Sequence, residues 1–240
     1  MEIKRFFVSN EDIIGENIII SGEEFYHMTT VLRHKVGYKI IVCGGDGYDY
    51  NATIIQIDKD KAIANIDSKQ VNNANANVDI TLYQAVIKST KLDFVIQKAV
   101  ELGVKSIVLF YSQNTCETNI NIDRLNKISK EASKQCKRAD FVRLDNPITF
   151  EEMSDRIKSH ENVIIPYEKE DRTNFKDIDF TRGDYGVIIG SEGGFTPKEV
   201  EKIVANGGKS VSLGNRILRA ETAGIVAVAL LMYELDEFGK

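Results

Sequence analysis

Hydrophobic positions along the chain follow two grammars. Up to about residue 68 they come as short runs rich in β-branched and aromatic residues: KRFFV (4–8), NIII (17–20), YKIIV (38–42), YDYNATIIQI (48–57) and KAIANI (61–66). Turn signals such as GGDG and DKDK separate them, so they read as strands. Ser21, with Glu24 three residues on, has the spacing of a capping box and predicts one helix. Five short strands and one helix predict a small β-barrel. From about residue 79 the period changes. ITLYQAVI, SIVLF, NVIIPY, GVIIG and SVSLG read as buried strands, KLDFVIQKAVELG and IDRLNKISKEASKQCKR as helices, and the last two strands each lead into a helix. This alternation predicts an α/β domain around a mostly parallel sheet, whose ligands bind beyond the carboxyl ends of the strands. Between the two regions lies SKQVNNANANV, with almost nothing to bury. The expected organisation is a barrel domain over 1–70, a linker over 71–78 and an α/β domain over 79–240.

The last helix, AETAGIVAVALLMYEL over 220–235, is apolar on nearly every face. A helix packed only on its own sheet keeps a polar outer side. A second copy meeting it across a two-fold interface is therefore expected, with Val228 as an outward position, and a homodimer is predicted.

Composition narrows the class. The chain is 42% hydrophobic and 28% charged, ordinary for a soluble globular protein. The opening MEIKRFFVSNEDIIG lacks the charged-then-apolar order of an export signal, and the longest apolar run, IVAVALLMY over 225–233, falls far short of the roughly 20 residues of a bilayer span. No membrane association is expected, and the location is cytoplasmic. Cys43, Cys116 and Cys136 are widely spaced without a CxxC, and three scattered histidines have no acidic partner pattern, so neither disulfides nor a metal site is expected. His27 reads as a packed or RNA-proximal side chain. A net charge of −5 argues against a protein that coats nucleic acid generally. Yet residues 123–143 hold seven Lys/Arg against three Asp/Glu, a local excess of four. There Leu125, Ile128, Ala132 and Cys136 mark an inward helix face, and Arg124, Lys127, Lys130, Lys134, Lys137 and Arg138 project elsewhere. That stripe fits either a solvated face or a phosphate-binding surface.

The chemistry concentrates in GVIIGSEGGFTPKEVE, Gly186 to Glu201. A buried strand ends at Ile189, and Thr196, Pro197 and Glu199 spell a capped helix start. The turn between them is neither a phosphate-binding GxxxxGKS/T loop nor a GxGxxG fingerprint. Its one charge is Glu192. A carboxylate repels phosphate but accepts hydrogen bonds from ribose hydroxyls and attracts a cation, so a positively charged nucleoside without phosphates fits, and S-adenosylmethionine is one. The loop alone fits equally a strand–helix turn whose glycines serve only backbone geometry. A second element, LGNRILRAETA, follows the next strand and gathers Arg216, Arg219, Glu221 and Thr222 at a helix start, which fits RNA contacts or a plain salt-bridged cap.

Together, IGSEGGFTPKEVE and LGNRILRAETA resemble the signature pair of the ribosomal RNA methyltransferases that modify N3 of a uridine in 16S rRNA, members of the SPOUT class. The likeness continues through RFFV (5–8), HMTTVLRHKVG (27–37), KSTKLDFVIQKAVELGV (88–104) and KEASKQCKR (130–138), nearly the whole chain. One departure is Ser191, where the family often has proline, a change expected to loosen the turn. The resemblance implies a PUA-like RNA-binding barrel followed by an α/β domain with a trefoil knot, completed as a homodimer acting on the small ribosomal subunit. It implies that Gly190, Ser191, Glu192, Gly193, Gly194, Leu213, Gly214, Ile217, Leu218, Arg219, Ala220 and Thr222 hold S-adenosylmethionine. It also implies that Arg5, Arg33, Lys88, Lys91, Lys127, Lys130, Lys134, Lys137 and Arg138 meet RNA. On this reading Glu192 or Glu221 accepts the N3 proton, and Arg219 or Arg138 stabilises the uracil anion. The rivals are a non-catalytic RNA-binding protein with a vestigial pocket and, less well supported for want of GxGxxG, a nicotinamide-dependent dehydrogenase.

Overall fold

The computed structural model describes residues 3–117 and 119–239. Its contacts divide the chain into two units: residues up to Asn75 with Ser133–Phe141, and Ala76–Ala132 with the chain from Val142 onward.

In the first unit the predicted runs form strands β1 (Arg5–Phe7), β3 (Asn17–Ser21), β4 (Lys39–Cys43), β5 (Tyr48–Ile57) and β6 (Lys61–Val71), joined by a two-residue β2 (Ile13–Ile14) that no hydrophobic run announces. They order β1-β4-β5-β6-β3-β2, with β1 and β2 at the two ends, a half-barrel and not a closed one. Register shifts at Asn51/Ala52 and Ile54/Gln56 bend the long β5–β6 pair. Alternate residues of these strands, among them Phe6, Ile18, Ile20, Ile40, Val42 and Ile54, fill the core with Met28. Ser21 does precede the helix α1 (Gly22–Tyr26), but the expected capping box does not form. The Glu24 side chain is buried and paired with Lys134 at 3.0 Å, so it cannot turn back on Ser21. One π-helical turn, His27–Val31, follows, and the His27 ring packs on Phe6.

A polar clasp crosses this unit. Arg5 donates to both carboxylate oxygens of Asp49 at 2.5 and 2.8 Å and to Cys43 Sγ at 2.8 Å. Asn72, from the expected linker, is buried and donates through Nδ2 to Asp49 and to the Lys137 carbonyl, each at 2.9 Å. Phe7 packs edge-on against Phe141 in the same unit. Burial alone would push Asp49 upward, but the hydrogen bonds from Arg5 and Asn72 outweigh it and hold the carboxyl below its ordinary value. Burial pushes the Cys43 thiol up to about 12. Arg5 is thus an interior counter-ion, not the exposed RNA contact expected of it, because a buried Asp49 claims its guanidinium. Arg138 is likewise buried, with its guanidinium on Asp140, and Lys134 is committed to Glu24. The basic stripe is therefore not one exposed face: Lys127 and Lys137 are exposed, Lys130 and Lys134 half-buried.

The second unit holds β7 (Asp79–Ala85), α2 (Ser89–Glu101), β8 (Ser106–Tyr111), the start of α3 (Ile122–Gln135), β9 (Ile148–Thr149), α4 (Phe150–Arg156), β10 (Asn162–Pro166), β11 (Asp184–Ile189), α5 (Pro197–Ala205), β12 (Gly208–Val211) and α6 (Ala220–Glu234). Its sheet orders β12-β10-β11-β7-β8-β9, and every pairing is parallel. The chain order reverses between neighbours here, so strand ends from distant sequence meet on one edge. Helix α6 packs on α2 and on β11. Val228 faces inward with no exposure, which corrects its expected outward position; the helix turns Gly224, Ala227, Val228, Leu231 and Met232 to the core. Leu230 and Tyr233 are the exposed apolar residues of α6, and α2 adds Phe94.

The clasp makes a testable claim. Arg5→Ala leaves Asp49 buried without its ion partner, which costs about 3 kcal/mol, read by urea unfolding at neutral pH. Because Asp49 is depressed in the fold, the loss is full above about pH 4 and shrinks as pH falls through the lowered value.

Candidate active site at the carboxyl ends of the parallel strands

Strand β11 ends at Ile189 and delivers the chain into Gly190–Gly194. The sequence needs glycine here because neighbours crowd the backbone. A Cβ at Gly190 would lie 3.1 Å from the Phe195 ring, and one at Gly193 would lie 2.8 Å from the Asn114 Cβ. Gly194 takes φ 65°, in the left-handed region. Thr196 then caps α5 with the predicted reciprocal box: Glu199 Oε2 accepts from the Thr196 N–H at 2.8 Å and its hydroxyl at 2.9 Å. The same Glu199 accepts, through Oε1, the Gln113 N–H at 2.8 Å.

That last bond is one of a set joining the glycine turn to the loop after β8. Asn114 Nδ2 donates to the carbonyls of Gly193 at 3.0 Å and Gly194 at 3.3 Å. Ser191 Oγ donates back to the Asn114 carbonyl at 3.0 Å and accepts from Ser112 Oγ at 3.4 Å. Ser191 is buried, and its hydroxyl fastens the turn; the expected loosening does not occur. Asn114 had no signal in the sequence, since polar residues after a strand are what any loop carries.

The turn forms one wall of a cavity of about 460 Å³. Ile217–Ala220, Ala223, Pro166, Glu168 and Lys91 line the rest of it. An adjoining hollow of about 290 Å³ shares Pro166, Glu168, Ile217, Leu218 and Ala223 with it and extends past Leu213 and Gly214. Gly190, Ser191, Glu192, Gly193, Gly194, Leu213, Gly214, Ile217, Leu218, Arg219 and Ala220 are therefore brought together around joined spaces. Thr222 is not: it is exposed on the first turn of α6 and lines neither. Arg5, Arg33, Lys134, Lys137 and Arg138 belong to the first unit. Glu168 went unnoticed in the sequence, although it stands just past the β10 carboxyl end, where a parallel sheet places ligands.

Charge is organised in a row. Glu192 Oε1 accepts from the Lys88 N–H at 3.3 Å and Lys91 Nζ at 3.2 Å. Lys91 Nζ also lies 3.8 Å from Glu221 Oε2, and Arg219 lies 4.0 Å from Glu221 Oε1. Partial burial pushes Glu192 upward, but the backbone N–H groups and Lys91 outweigh it and hold it below its ordinary value. Of the two carboxylates, Glu192 lines the cavity and Glu221 does not. The walls are thus apolar surfaces and glycine backbone with two carboxylates, Glu168 and Glu192, against Lys91 and Arg219. Both cations already stand beside carboxylates, Lys91 beside Glu192 and Glu221 and Arg219 beside Glu221. With no uncompensated cation on its walls, the cavity suits a nucleoside without phosphates.

Comparison with known proteins points the same way. The RNA methyltransferase domain matches residues 74–232, and the RNA methyltransferase PUA domain matches 20–67. The chain is 30% identical to ribosomal RNA small subunit methyltransferase E of Buchnera aphidicola subsp. Acyrthosiphon pisum over 99% of this chain and 96% of that protein. It is 28% identical to the Bacillus subtilis protein of that name over 90% of each. Among solved structures, that of ribosomal RNA small subunit methyltransferase E from Neisseria gonorrhoeae bound to S-adenosyl methionine superposes with a TM-score of 0.86 at 27% identity, covering 98% of each chain. A putative methyltransferase from Legionella pneumophila in complex with SAM gives 0.86 at 28% identity, covering 97% of this chain and 98% of that one.

The joint between the loops sets an expectation. Glu199→Ala removes the box from α5 and the anchor of Gln113 together, a loss of about 2 kcal/mol in urea unfolding. Glu199→Gln, which keeps an acceptor, should recover at least half of it.

Proposed function

This chain belongs to the RNA methyltransferase family, in the group of ribosomal RNA small subunit methyltransferases E, and on that premise we propose that it methylates N3 of a uridine in 16S rRNA, using S-adenosylmethionine. The observation that carries the reading is the cavity itself, walled by the two motif loops and lined with carboxylates. S-adenosylmethionine supplies a methyl group already activated by its sulfonium. The protein must hold it, place a uracil N3 behind the methyl and remove the N3 proton. Backbone groups of Gly190–Gly194, Leu213–Gly214 and Ile217–Ala220 would hold the cofactor, and no phosphate needs a lysine there. Holding both reactants in line supplies much of the acceleration. Glu192, the carboxylate that lines the cavity, is our candidate to take the N3 proton, and it is ionised at neutral pH. Arg219, 81% exposed at the cavity wall, can reach charge developing on the uracil oxygens. A non-catalytic RNA-binding role is the weaker reading, because the cavity stands open and is lined by both motif loops.

The reading extends to the surroundings. The half-barrel serves as the RNA-binding PUA-like domain of residues 1–70, joined through 71–78 to a methyltransferase domain of 79–240 with a trefoil-knotted backbone. Arg33, Lys88, Lys127 and Lys137, all exposed, are the candidates for phosphate contact. Among the described residues no helix is long and apolar enough to cross a membrane, which accords with work in the cytoplasm. Ile217 at 86% exposure and Tyr233 at 69%, with Leu230 and Phe94, leave an apolar face for a second copy.

Calorimetry with S-adenosylmethionine and transfer of labelled methyl to unmethylated 16S rRNA or small subunits test the activity. Gly193→Val should drive the turn against Asn114 and weaken the cofactor by about fivefold to a hundredfold, through a strain of about 1–3 kcal/mol, while circular dichroism stays native. Unchanged affinity in the folded variant would remove this loop from the site. Light scattering should find the unaltered chain dimeric and Leu230→Asp monomeric; a monomeric unaltered chain contradicts the interface.

A further inference from the structure

Lys91 was expected to meet RNA phosphate, and the structure gives its ammonium other work. It lies 3.2 Å from Glu192 Oε1 and 3.8 Å from Glu221 Oε2, so one cation serves two carboxylates within ion-pair reach. With Arg219 4.0 Å from Glu221 Oε1, the local sum is two positive charges against two negative ones, so the Lys91 charge is already compensated. Glu221 is only 13% exposed, and its Oε2 has no hydrogen bond; a carboxylate so enclosed needs a cation beside it. Glu192, in contrast, lines the cavity and is held by two donors from the start of α2, the Lys88 N–H and the Lys91 ammonium.

We infer that Lys91 is a positioning residue for the methyl transfer proposed above: anchored from behind by Glu221, it fixes the Glu192 carboxylate, ionised, at the place where the uracil imide must give up its proton. The inference rests on that proposed activity and divides labour between the two carboxylates: Glu192 touches the base, and Glu221 acts only through Lys91. In the step itself the N3–H proton passes to a Glu192 oxygen and N3 bonds to the methyl carbon. The carbon–sulfur bond breaks with its electron pair left on sulfur, so charge and atoms balance. The charged groups around Glu192 are Lys88 and Lys91 from α2, Arg219 and Glu221 from the start of α6, and Glu168 beyond β10. Lys91 is the one among them bonded to its side chain by a side-chain donor.

The two roles for Lys91 predict different kinetics. A phosphate contact holds substrate and transition state alike, so its loss raises KM for RNA and lowers the salt slope of RNA binding by about one. A positioning residue acts on kcat. Lys91→Met should lower kcat by about tenfold or more, with KM for RNA within about twofold. The salt slope of RNA binding without cofactor should not change. The acid limb of the rate profile should move to higher pH, because Glu192 loses a stabilising cation and gains an unscreened neighbour in Glu221. Lys91→Arg should restore both kcat and the limb, and Glu221→Gln should lower kcat less than Glu192→Gln. Calorimetric affinity for S-adenosylmethionine in each variant shows that the cavity still forms. A raised KM with a reduced salt slope in Lys91→Met would overturn the inference and return Lys91 to the RNA surface. An unmoved acid limb, or a Glu221→Gln variant worse than Glu192→Gln, would also overturn it. If the unaltered chain transfers no methyl to 16S rRNA, the proposed activity falls and the inference with it; if it does, the variants judge the inference alone.

Discussion

Two loops that end neighbouring regions of one parallel sheet are bonded to each other, and the site exists because they are. Ser191 gives its hydroxyl proton to the Asn114 carbonyl, Asn114 returns its amide to Gly193 and Gly194, and Glu199 joins the Gln113 N–H to the start of α5. Each bond is worth only about 1 kcal/mol net. Their collective effect is on geometry, since a glycine-rich turn left alone samples many conformations. Held this way, the turn presents backbone to the cavity, and Phe195 and Glu199 after it are buried. The close approach of Asn114 explains why Gly193 carries no side chain, a packing reason that precedes any ligand.

Electrostatics then selects what can enter. The usual strand–glycine–helix site for a nucleotide supplies N–H groups and a lysine to phosphates. Here the charged residues on the walls are Glu168, Glu192, a Lys91 whose charge is spent on two carboxylates and an Arg219 beside Glu221. A protein of net charge −5 that must approach RNA cannot rely on a general basic surface. Part of its apparent basic stripe is structural: Lys134 and Arg138 compensate Glu24 and Asp140, as Arg5, outside the stripe, compensates Asp49.

How far the sequence foretold this depends on whether the signal was local. Strand periodicity and the Thr196–Glu199 box are set by neighbours a few residues away, and the structure has them where the pattern places them. A second box, Thr149 with Glu152, caps α4 and is equally local, in ITFEE. What could not be read was decided by partners far along the chain. Glu24 leaves its expected cap for Lys134, Arg5 leaves the surface for Asp49, and Asn72 leaves the linker to bond Asp49 and Lys137. Val228 turned inward because an apolar run on all faces has no polar stripe to fix its rotation. Asn114 and Glu168 reach the site from other strands, so proximity to the motifs gave no hint of them.

The second unit has another hollow of about 520 Å³, bounded by Tyr111, Gln113, Phe150, Lys198 and Lys202, on a different set of residues from those of the glycine turn. Amide hydrogen exchange with and without S-adenosylmethionine distinguishes the two. The account predicts protection of Gly190–Gly194, the chain just past Pro166 and Leu213–Ala220, with Lys198–Lys202 unchanged. Protection confined to Lys198–Lys202 and Thr149–Glu151, or none anywhere at saturating cofactor, would contradict it.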